Sequence, residues 1–236
     1  NKCYTNITNI VPVKETKTRY EWSGQLPSRV WGGFEVVTVD KDYNEPPVSI
    51  KESLPIDGFG EYARSLYGTS KVSADLYCQE YYQAFGVPTV INRMSCIYGL
   101  YQKGVEDQGW TNFFVRQILM GDGNINIFGT GKQVRDMLFG NDVARLYLDE
   151  IEQIDKVAGQ VYNIGGGVDN TMSLLEAITE IESQTGNKAK LTFLPKRFGD
   201  QDIWISDITK IKNALDWQPT ISPKQGIKMM IEELSK

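Results

Sequence analysis

Tyr67 and Lys71 form the residue pair in this sequence that is best suited to acid–base chemistry. They lie four positions apart in Tyr67-Gly-Thr-Ser-Lys71, within a segment predicted to be helical, so both side chains would project from one face of the helix. A lysine ammonium beside a phenol stabilises the phenolate and lowers the pKa of the tyrosine toward neutrality. The pair therefore indicates a base that removes a proton from a substrate hydroxyl, and the alternative is a solvated pair on the surface.

The composition restricts the other catalytic groups. The chain contains no histidine, which excludes imidazole bases, His-based triads and His metal ligands, and we expect no metal site. Three unevenly spaced cysteines, Cys3, Cys78 and Cys96, predict a reduced, cytoplasmic environment rather than a disulfide framework.

The charge distribution argues against two classes of partner. The formal net charge is −5 and the sequence contains no run of Lys or Arg, whereas nucleic acids and anionic membranes require a concentrated positive face. No apolar stretch is long enough to span a bilayer. An anionic small molecule remains compatible with this composition, because one or two arginines suffice to bind a phosphate.

The elements that must position Tyr67 and Lys71 indicate an α/β protein. A helix is predicted from about Glu61 to Phe85, and the mostly apolar run Val87–Ile97 that follows is typical of a buried strand in a parallel sheet. A helix followed by a buried strand is half of a βαβ unit. Residues 1–60 are predicted to form long loops with one short strand at Glu35–Val39.

The rest of the sequence continues the alternation of helices and strands. The box Ser173-Leu-Leu-Glu176 predicts the start of a helix that should end near Gly186. Gly165–Gly167 lacks the spacing of a dinucleotide-binding loop and is predicted to be a strand-to-loop turn. Two further helices are predicted at Asn112–Met120 and Asp142–Ile154, and strands are predicted at Ile125–Phe128, Val134–Phe139, Val161–Ile164, Leu191–Leu194 and Ile203–Ile205. Two closing helices are predicted after Ile205.

The order of four motifs resembles the extended short-chain dehydrogenase/reductase family, in its NAD-dependent epimerase/dehydratase group. The motifs are Tyr67-Gly-Thr-Ser-Lys71, Arg93-Met-Ser-Cys-Ile-Tyr-Gly99, Gln133-Val-Arg-Asp136 and Arg197-Phe-Gly-Asp200. The resemblance covers essentially the whole chain. It implies the C-terminal part of a doubly wound parallel, Rossmann-type sheet with a small α/β substrate-binding lobe.

The same resemblance implies a division of the chain. Residues 1–105 would be the remainder of the NAD-binding domain with its catalytic helix. Residues 106–236 would mainly form the nucleotide-sugar lobe, with residues 130–165 partly returning to the sheet. The chain begins without Met, and we expect it to be part of a longer protein.

Within the family, further segments resemble the branch of CDP-paratose 2-epimerases. They are Asn1-Lys2, Asp107-Gln-Gly-Trp110, Gly131-Lys-Gln-Val-Arg-Asp136 and Trp204-Ile-Ser-Asp207. The branch implies C2 epimerisation of a CDP-hexose by transient oxidation with tightly held NAD, in a homo-oligomer that serves lipopolysaccharide biosynthesis. One alternative is a UDP-hexose 4-epimerase, and another is a dinucleotide-binding regulator without catalysis.

The resemblance assigns roles to individual residues. Tyr67 and Lys71 would be catalytic and would contact the nicotinamide ribose of NAD. Arg135 and Arg197 would clamp the diphosphate, the alternative being surface ion pairs with Asp136 and Asp200.

Four further residues receive supporting roles from the resemblance. Asn112 and Phe128 match positions around the nucleobase, with core packing as the alternative. Trp110 would wall the sugar pocket or fill the core. Arg93 would support the cofactor site, and the alternative is an internal ion pair.

Two implications concern what stands at the start of the chain. The third catalytic group of the family, a Ser or Thr, would directly precede Asn1, and the Gly-rich cofactor turn would lie further upstream. We therefore expect the 236 residues by themselves to hold NAD weakly and to be inactive. Dehydratases of the family carry acids where Asn1 and Lys2 stand, so the amide and the ammonium favour epimerisation over elimination.

Overall fold

The computed structural model describes residues 2–4, 8–9, 11–23, 37–38, 49–54, 56 and 65–236, which form a mixed α/β fold. The strands are β1 Val13–Glu15, β2 Tyr20–Trp22, β3 Val37–Thr38, β4 Ser49–Ile50, β5 Ile91–Met94, β6 Cys96–Tyr98, β7 Asn124–Phe128, β8 Val134–Phe139, β9 Val161–Ile164, β10 Thr171–Ser173, β11 Lys190–Leu194 and β12 Ile203–Trp204. The helices are α1 Ser65–Phe85, α2 Trp110–Leu119, α3 Gly140–Glu152, α4 Ile154–Val157, α5 Leu174–Thr185, α6 Thr209–Leu215 and α7 Pro223–Leu234.

Parallel pairing dominates the sheets and confirms the α/β class. Strand β5 pairs with β9, β6 and β12 pair with β8, and β7 pairs with β11, all in parallel, whereas β10 is antiparallel to β8. Parallel strands need crossover connections, which here contain helices. The pairing of β5 with β9 brings residues 161–164 back beside the strand that follows α1. The domain boundary near residue 105 stays a prediction.

Local sequence signals place several element ends correctly. In α5, Ser173 Oγ accepts a hydrogen bond from Glu176 N, and the Glu176 carboxylate accepts one from Ser173 N, which confirms the capping box. Gly186 ends this helix at a φ of 76°, in the left-handed region that glycine tolerates. The capping residues act within one turn of the chain, so their spacing alone predicts where the helix begins.

The N-terminal region differs from the sequence prediction. Only the backbone of residues 37–38 is described within the strand predicted at Glu35–Val39; the other three positions lie outside the described residues. The hairpin of β1 and β2 was not predicted. Contacts distant in sequence hold it: the backbone carbonyl of Thr18 accepts a hydrogen bond from Ser173 Oγ, and Arg19 pairs with Glu176 at 3.4 Å. The capping residues of α5 thus also anchor the hairpin.

The predicted strand Val87–Ile97 is two strands in the structure. Residues 87–90 are not in a strand, and Ser95 separates β5 from β6. The amide of Ser95 donates to Ile164 O at 2.8 Å, and its hydroxyl donates to the Asp136 carboxylate. At Ser95 the chain therefore leaves the partner strand β9 and begins to pair with β8.

Helix α1 buries a different face from the one that its apolar spacing indicates. The buried residues are Gly68, Val72 and Asp75, whereas Leu66 and Tyr77 are 90% and 69% exposed. Residues 61–64, which the prediction included in this helix, lie outside the described residues. The helix therefore attaches to the rest of the described chain along a narrow stripe, and one member of that stripe is a carboxylate.

The core lies between the sheet strands and the helices. One cluster packs α2, α5 and α7 against β7 and β8, and a second joins Tyr4 and Trp204 below the start of α1. Trp204 and Trp217 are fully buried. Within the described residues, no helix is long and apolar enough to cross a membrane.

The buried Asp142 joins the start of α3 to the segment before α7. Its carboxylate accepts hydrogen bonds from the amides of Thr220 and Ile221, from the Thr220 hydroxyl and from Arg145. Burial by itself raises the pKa of Asp142, but the hydrogen bonds from Thr220, Arg145 and Ile221 outweigh it, so the pKa lies below its usual range. The ionised carboxylate therefore stabilises the folded state.

We expect this carboxylate to make folding stability depend on pH. Because the folded-state pKa of Asp142 is below the unfolded value of about 3.9, its stabilisation is present above that value and is lost as pH falls through the folded-state pKa. Asp142→Asn should lower the free energy of unfolding at pH 7 by about 2 kcal/mol and weaken the loss of stability in acid. Urea unfolding at pH 7 and pH 3 tests this, and equal acid sensitivity in the two proteins would contradict it.

Candidate active site

A cleft of about 740 Å³ lies beside α1 and contains most of the residues that the sequence analysis selected. Its walls come from α1, from β5 and β6, from the loop between β6 and α2, from β7 and β8, and from the loop after β11. Of the predicted site residues, the cleft is lined by Tyr67, Lys71, Arg93, Trp110, Phe128, Arg135 and Arg197. Asn112 is not among the lining residues.

Tyr67 and Lys71 project together from the first turns of α1. Lys71 Nζ lies 5.2 Å from the centroid of the Tyr67 ring, and Tyr67 is 55% exposed. No ion pair of Lys71 is present among the described residues. Tyr67 and Lys71 thus share one face of the helix, as their spacing predicts. This face lies at the edge of the cleft, where both polar groups are accessible to a ligand.

A buried network below this pair fixes α1 to the sheet. Arg93 Nε and a second guanidinium nitrogen bind both carboxylate oxygens of Asp75, at 2.7 and 3.2 Å. Another nitrogen of Arg93 donates to the Tyr4 hydroxyl at 2.9 Å, and this hydroxyl donates to Asn163 Oδ1. Burial alone would lower the pKa of Arg93, but the hydrogen bonds with Asp75 and Tyr4 raise it.

Arg93 therefore makes the internal ion pair that the sequence analysis left open as an alternative. Its cofactor-binding role stays a prediction. The sequence analysis did not select Asp75 as a site residue. Its spacing could have indicated it, because Asp75 follows Lys71 by four positions and lies on the same side of the helix.

Arg135 lies half-buried in the cleft. Its only side-chain hydrogen bond in the described part of the chain goes to the backbone carbonyl of Val134, at 2.8 Å. It makes no ion pair with Asp136, which corrects the alternative raised from the sequence. Burial lowers the pKa of Arg135, and the negative charge of Asp200 opposes this effect. A desolvated guanidinium without a carboxylate partner is suited to an anionic ligand.

Asp136 instead belongs to a separate buried network. Its carboxylate accepts hydrogen bonds from the Ser95 hydroxyl and from the amides of Gly167 and Ser206. A side chain on Gly165 would collide with this carboxylate, which explains the glycine at that position. The turn predicted at Gly165–Gly167 is confirmed, and Asp136 holds it against β8 and β12.

Arg197 pairs with a carboxylate that the sequence did not indicate. Its guanidinium donates to Asp107 Oδ1 at 2.7 Å and lies 3.6 Å from the centroid of the Phe128 ring. The pair with Asp200 considered from the sequence is not formed, and Asp200 instead binds Lys2 Nζ at 3.0 Å. Arg197 thus connects the loop after β11 to the loop before α2 across the cleft lining.

The first turn of α2 supplies the remaining predicted residues. Trp110 is half-buried and lines the cleft, and the centroids of its ring and of the Phe114 ring are 5.4 Å apart. Trp110 therefore belongs both to the cleft wall and to the edge of the core. Asn112 is fully buried: its Oδ1 accepts from Gly104 N at 3.1 Å, and its Nδ2 has no partner among the described residues. A contact between Asn112 and a nucleobase stays a prediction.

Three other residues of the cleft were not selected from the sequence. Glu106 accepts a hydrogen bond from Asn126 Nδ2 at 2.6 Å, and both side chains line the cleft. Cys96 also lines it, and burial raises the pKa of its thiol to about 11, so this sulfur is a poor nucleophile.

Asn1 lies outside the described residues. No group of acids or cysteines among the described residues could hold a metal ion.

Comparisons with known proteins find similar sequences and similar folds. The family model described as GDP-mannose 4,6 dehydratase matches residues 45–230. CDP-paratose 2-epimerase from Salmonella typhi is 40% identical over 98% of this chain and 62% of its own length. The chain spans 62% and 60% of the lengths of the first two curated relatives that it matches.

Solved structures of similar proteins contain NAD. UDP-glucuronic acid 4-epimerase from Bacillus cereus, in complex with UDP-glucuronic acid and NAD, has a TM-score of 0.65 and 27% identity over 88% of this chain and 59% of that chain. dTDP-glucose 4,6-dehydratase from Bacillus anthracis, in complex with NAD, has a TM-score of 0.66 and 26% identity over 79% of this chain and 56% of that chain. Epimerases and dehydratases therefore share the fold of the described residues.

Proposed function

The chain belongs to the GDP-mannose 4,6-dehydratase family, a group of NAD-dependent nucleotide-sugar epimerases and dehydratases within the extended short-chain dehydrogenases. On this premise we propose that it carries the catalytic helix and the sugar-nucleotide site of an epimerase that converts CDP-paratose to CDP-tyvelose at C2. The observation that carries the proposal is the presence, in one cleft, of the accessible Tyr67–Lys71 pair and the guanidinium of Arg135, which has no carboxylate partner among the described residues.

The acid–base part of the reaction falls to α1. The Tyr67 phenolate oxygen takes the proton of the sugar hydroxyl and returns it when the carbonyl is reduced. The Lys71 ammonium lies 5.2 Å from the centroid of the Tyr67 ring and places a positive charge beside the side chain that transfers the proton. Both side chains are exposed at the cleft edge, which fits the hydroxyl groups of a nicotinamide ribose. When bound, NAD would supply a reversible acceptor for the hydride.

Lys2 supports epimerisation over elimination of water. Loss of water from a sugar needs an acid that protonates the leaving hydroxyl and a base that removes a carbon-bound proton. Lys2 lies in the cleft with its ammonium on Asp200 Oδ1 and on the carbonyl of Gly199. A paired ammonium supplies neither a carboxylic acid nor a carboxylate base at this position.

Arg135 is expected to bind the diphosphate of the substrate. Arg135→Met should weaken CDP binding by about 10- to 100-fold, because a charge-assisted hydrogen bond contributes about 1.5–3 kcal/mol. Isothermal titration with CDP measures the effect. Arg116→Met is the matched control, since Arg116 is exposed on α2 and outside the cleft lining. Equal losses in the two variants would contradict a phosphate role for Arg135.

The proposed reaction is tested by product analysis. The protein, as encoded by its gene, is incubated with NAD and either CDP-paratose or a UDP-hexose, and the released sugars are identified by NMR. Formation of CDP-tyvelose supports the proposal. Turnover of only the UDP-hexose would replace it with a 4-epimerase, and binding of nucleotides without turnover of any sugar would favour a regulator.

A further inference from the structure

The loop between β6 and α2 places two carboxylates in the cleft. Val105 and Gln108 exchange backbone hydrogen bonds of 2.8 and 3.1 Å, which forms a tight turn with Glu106 and Asp107 at its tip. Asp107 binds Arg197, and Glu106 accepts from Asn126 Nδ2. The tip is thus fixed at two points, on β7 and on the loop after β11, so the position of Glu106 is defined.

The surface next to Glu106 has the composition of a nucleobase site. Asn126 and Phe128 alternate along β7 with Ile125 and Ile127, which are buried, so the amide and the aromatic ring share the face that lines the cleft. The planar guanidinium of Arg197 lies against the Phe128 ring. An aromatic ring and a guanidinium offer stacking surfaces, and the amide and carboxylate beside them offer hydrogen bonds to a base edge.

The contact between Glu106 and Asn126 determines which hydrogen bonds are offered. An ionised carboxylate only accepts hydrogen bonds, so the amide must turn its Nδ2 toward Glu106. This leaves Asn126 Oδ1 and the second carboxylate oxygen of Glu106 without partners among the residues that the structure describes. Both remaining atoms are acceptors, so this edge of the cleft fits a donor.

We propose that Glu106, through its own carboxylate and by orienting Asn126, selects a sugar nucleotide whose base is cytosine. The inference rests on the proposed function and names a residue that determines its base specificity. Cytosine carries an exocyclic amine with two N–H donors, which match the two acceptors. Uracil and thymine carry a carbonyl oxygen at the same position, and the carboxylate would repel it.

The test compares the affinities for CDP and UDP by isothermal titration of the protein, Glu106→Gln and a control. We expect the unchanged protein to bind CDP at least about tenfold more tightly than UDP, the range of one well-placed base contact. Glu106→Gln should bring the two affinities close together, mainly by tightening UDP, because the new amide donates to the uracil carbonyl and frees Asn126 to turn. Glu152→Gln changes an exposed residue of α3 outside the cleft lining and should keep the original ratio.

A second variant guards against misfolding of Glu106→Gln, which thermal unfolding would reveal. Glu106→Ala removes the acceptor and adds no donor, so we expect CDP binding to weaken about tenfold, while UDP binding tightens because the repulsion of its carbonyl is removed. An unchanged ratio in both variants would overturn the inference.

Failure of the inference and failure of the proposed function give different results. Equal binding of CDP and UDP by the unchanged protein, or a preference for UDP, overturns base selection by Glu106 and leaves a nucleotide-sugar site in place. Binding of neither nucleotide overturns both.

Discussion

Tyr67→Phe is expected to reduce turnover of the proposed substrate CDP-paratose by about 10²- to 10⁴-fold, the usual contribution of a positioned acid–base group. The phenol oxygen is the atom that would move the proton, and Lys71 Nζ lies 5.2 Å from the centroid of the same ring. The substitution deletes this oxygen and leaves the ring. Because Tyr67 is 55% exposed, its hydroxyl contributes little to packing, and CDP affinity should change by less than about twofold.

The control for this prediction lies on the same helix. Tyr77 is 69% exposed and does not line the cleft, so Tyr77→Phe should retain turnover. Turnover is measured on the protein as encoded by its gene, with NAD supplied. Retained activity in Tyr67→Phe would exclude Tyr67 as the base. Urea unfolding separates a loss of acid–base function from a loosened helix, because only the latter lowers the free energy of unfolding.

Asp75→Asn is expected to lower the free energy of unfolding by about 3–5 kcal/mol, the cost of leaving a buried charge without its partner. Asp75 and Arg93 are 4% and 7% exposed, and two hydrogen bonds join them. With the carboxylate gone, the Arg93 guanidinium would be left in the interior with the Tyr4 hydroxyl and a backbone carbonyl as its main partners. Since Asp75 is one of three buried residues on α1, the helix should also loosen.

Urea unfolding measures this loss, and two further variants define its cause. Glu232→Gln breaks an exposed pair of 3.8 Å with Lys228 and should cost less than about 1 kcal/mol. The double variant Asp75→Leu with Arg93→Met removes both charges, and it should recover most of the stability that Asp75→Asn loses. Equal costs for Asp75→Asn and Glu232→Gln would show that the buried pair does not hold α1.

The two predictions concern one feature of the fold, the attachment of α1. Tyr67 and Lys71 stand at the start of a helix that is exposed along most of its length, and Asp75 joins it to β5 through Arg93. We therefore expect Asp75→Asn to reduce turnover as well, by displacing Tyr67. Asp75 is a positioning residue in this sense, and the stability loss distinguishes it from Tyr67.

The sequence by itself determined the features whose causes are local. The capping box joins Ser173 and Glu176, and the common face joins Tyr67 and Lys71, so each depends on residues at most four positions apart. The end of α5 depends on Gly186 itself. Strands β8 and β9 were located because Val134–Phe139 and Val161–Ile164 are short, mostly apolar segments. Backbone geometry converts such spacings directly into structure.

Only the tertiary structure decided which partners the charged side chains take. Arg197 pairs with Asp107, 90 residues away, rather than with Asp200, and Arg135 has no ion pair with the adjacent Asp136 among the described residues. The orientation of Asn126 by Glu106 and the docking of β1 and β2 on α5 are likewise long-range. A flexible charged side chain has several oppositely charged residues within reach in the sequence, and the folded backbone determines which of them meets it with good geometry and little solvent.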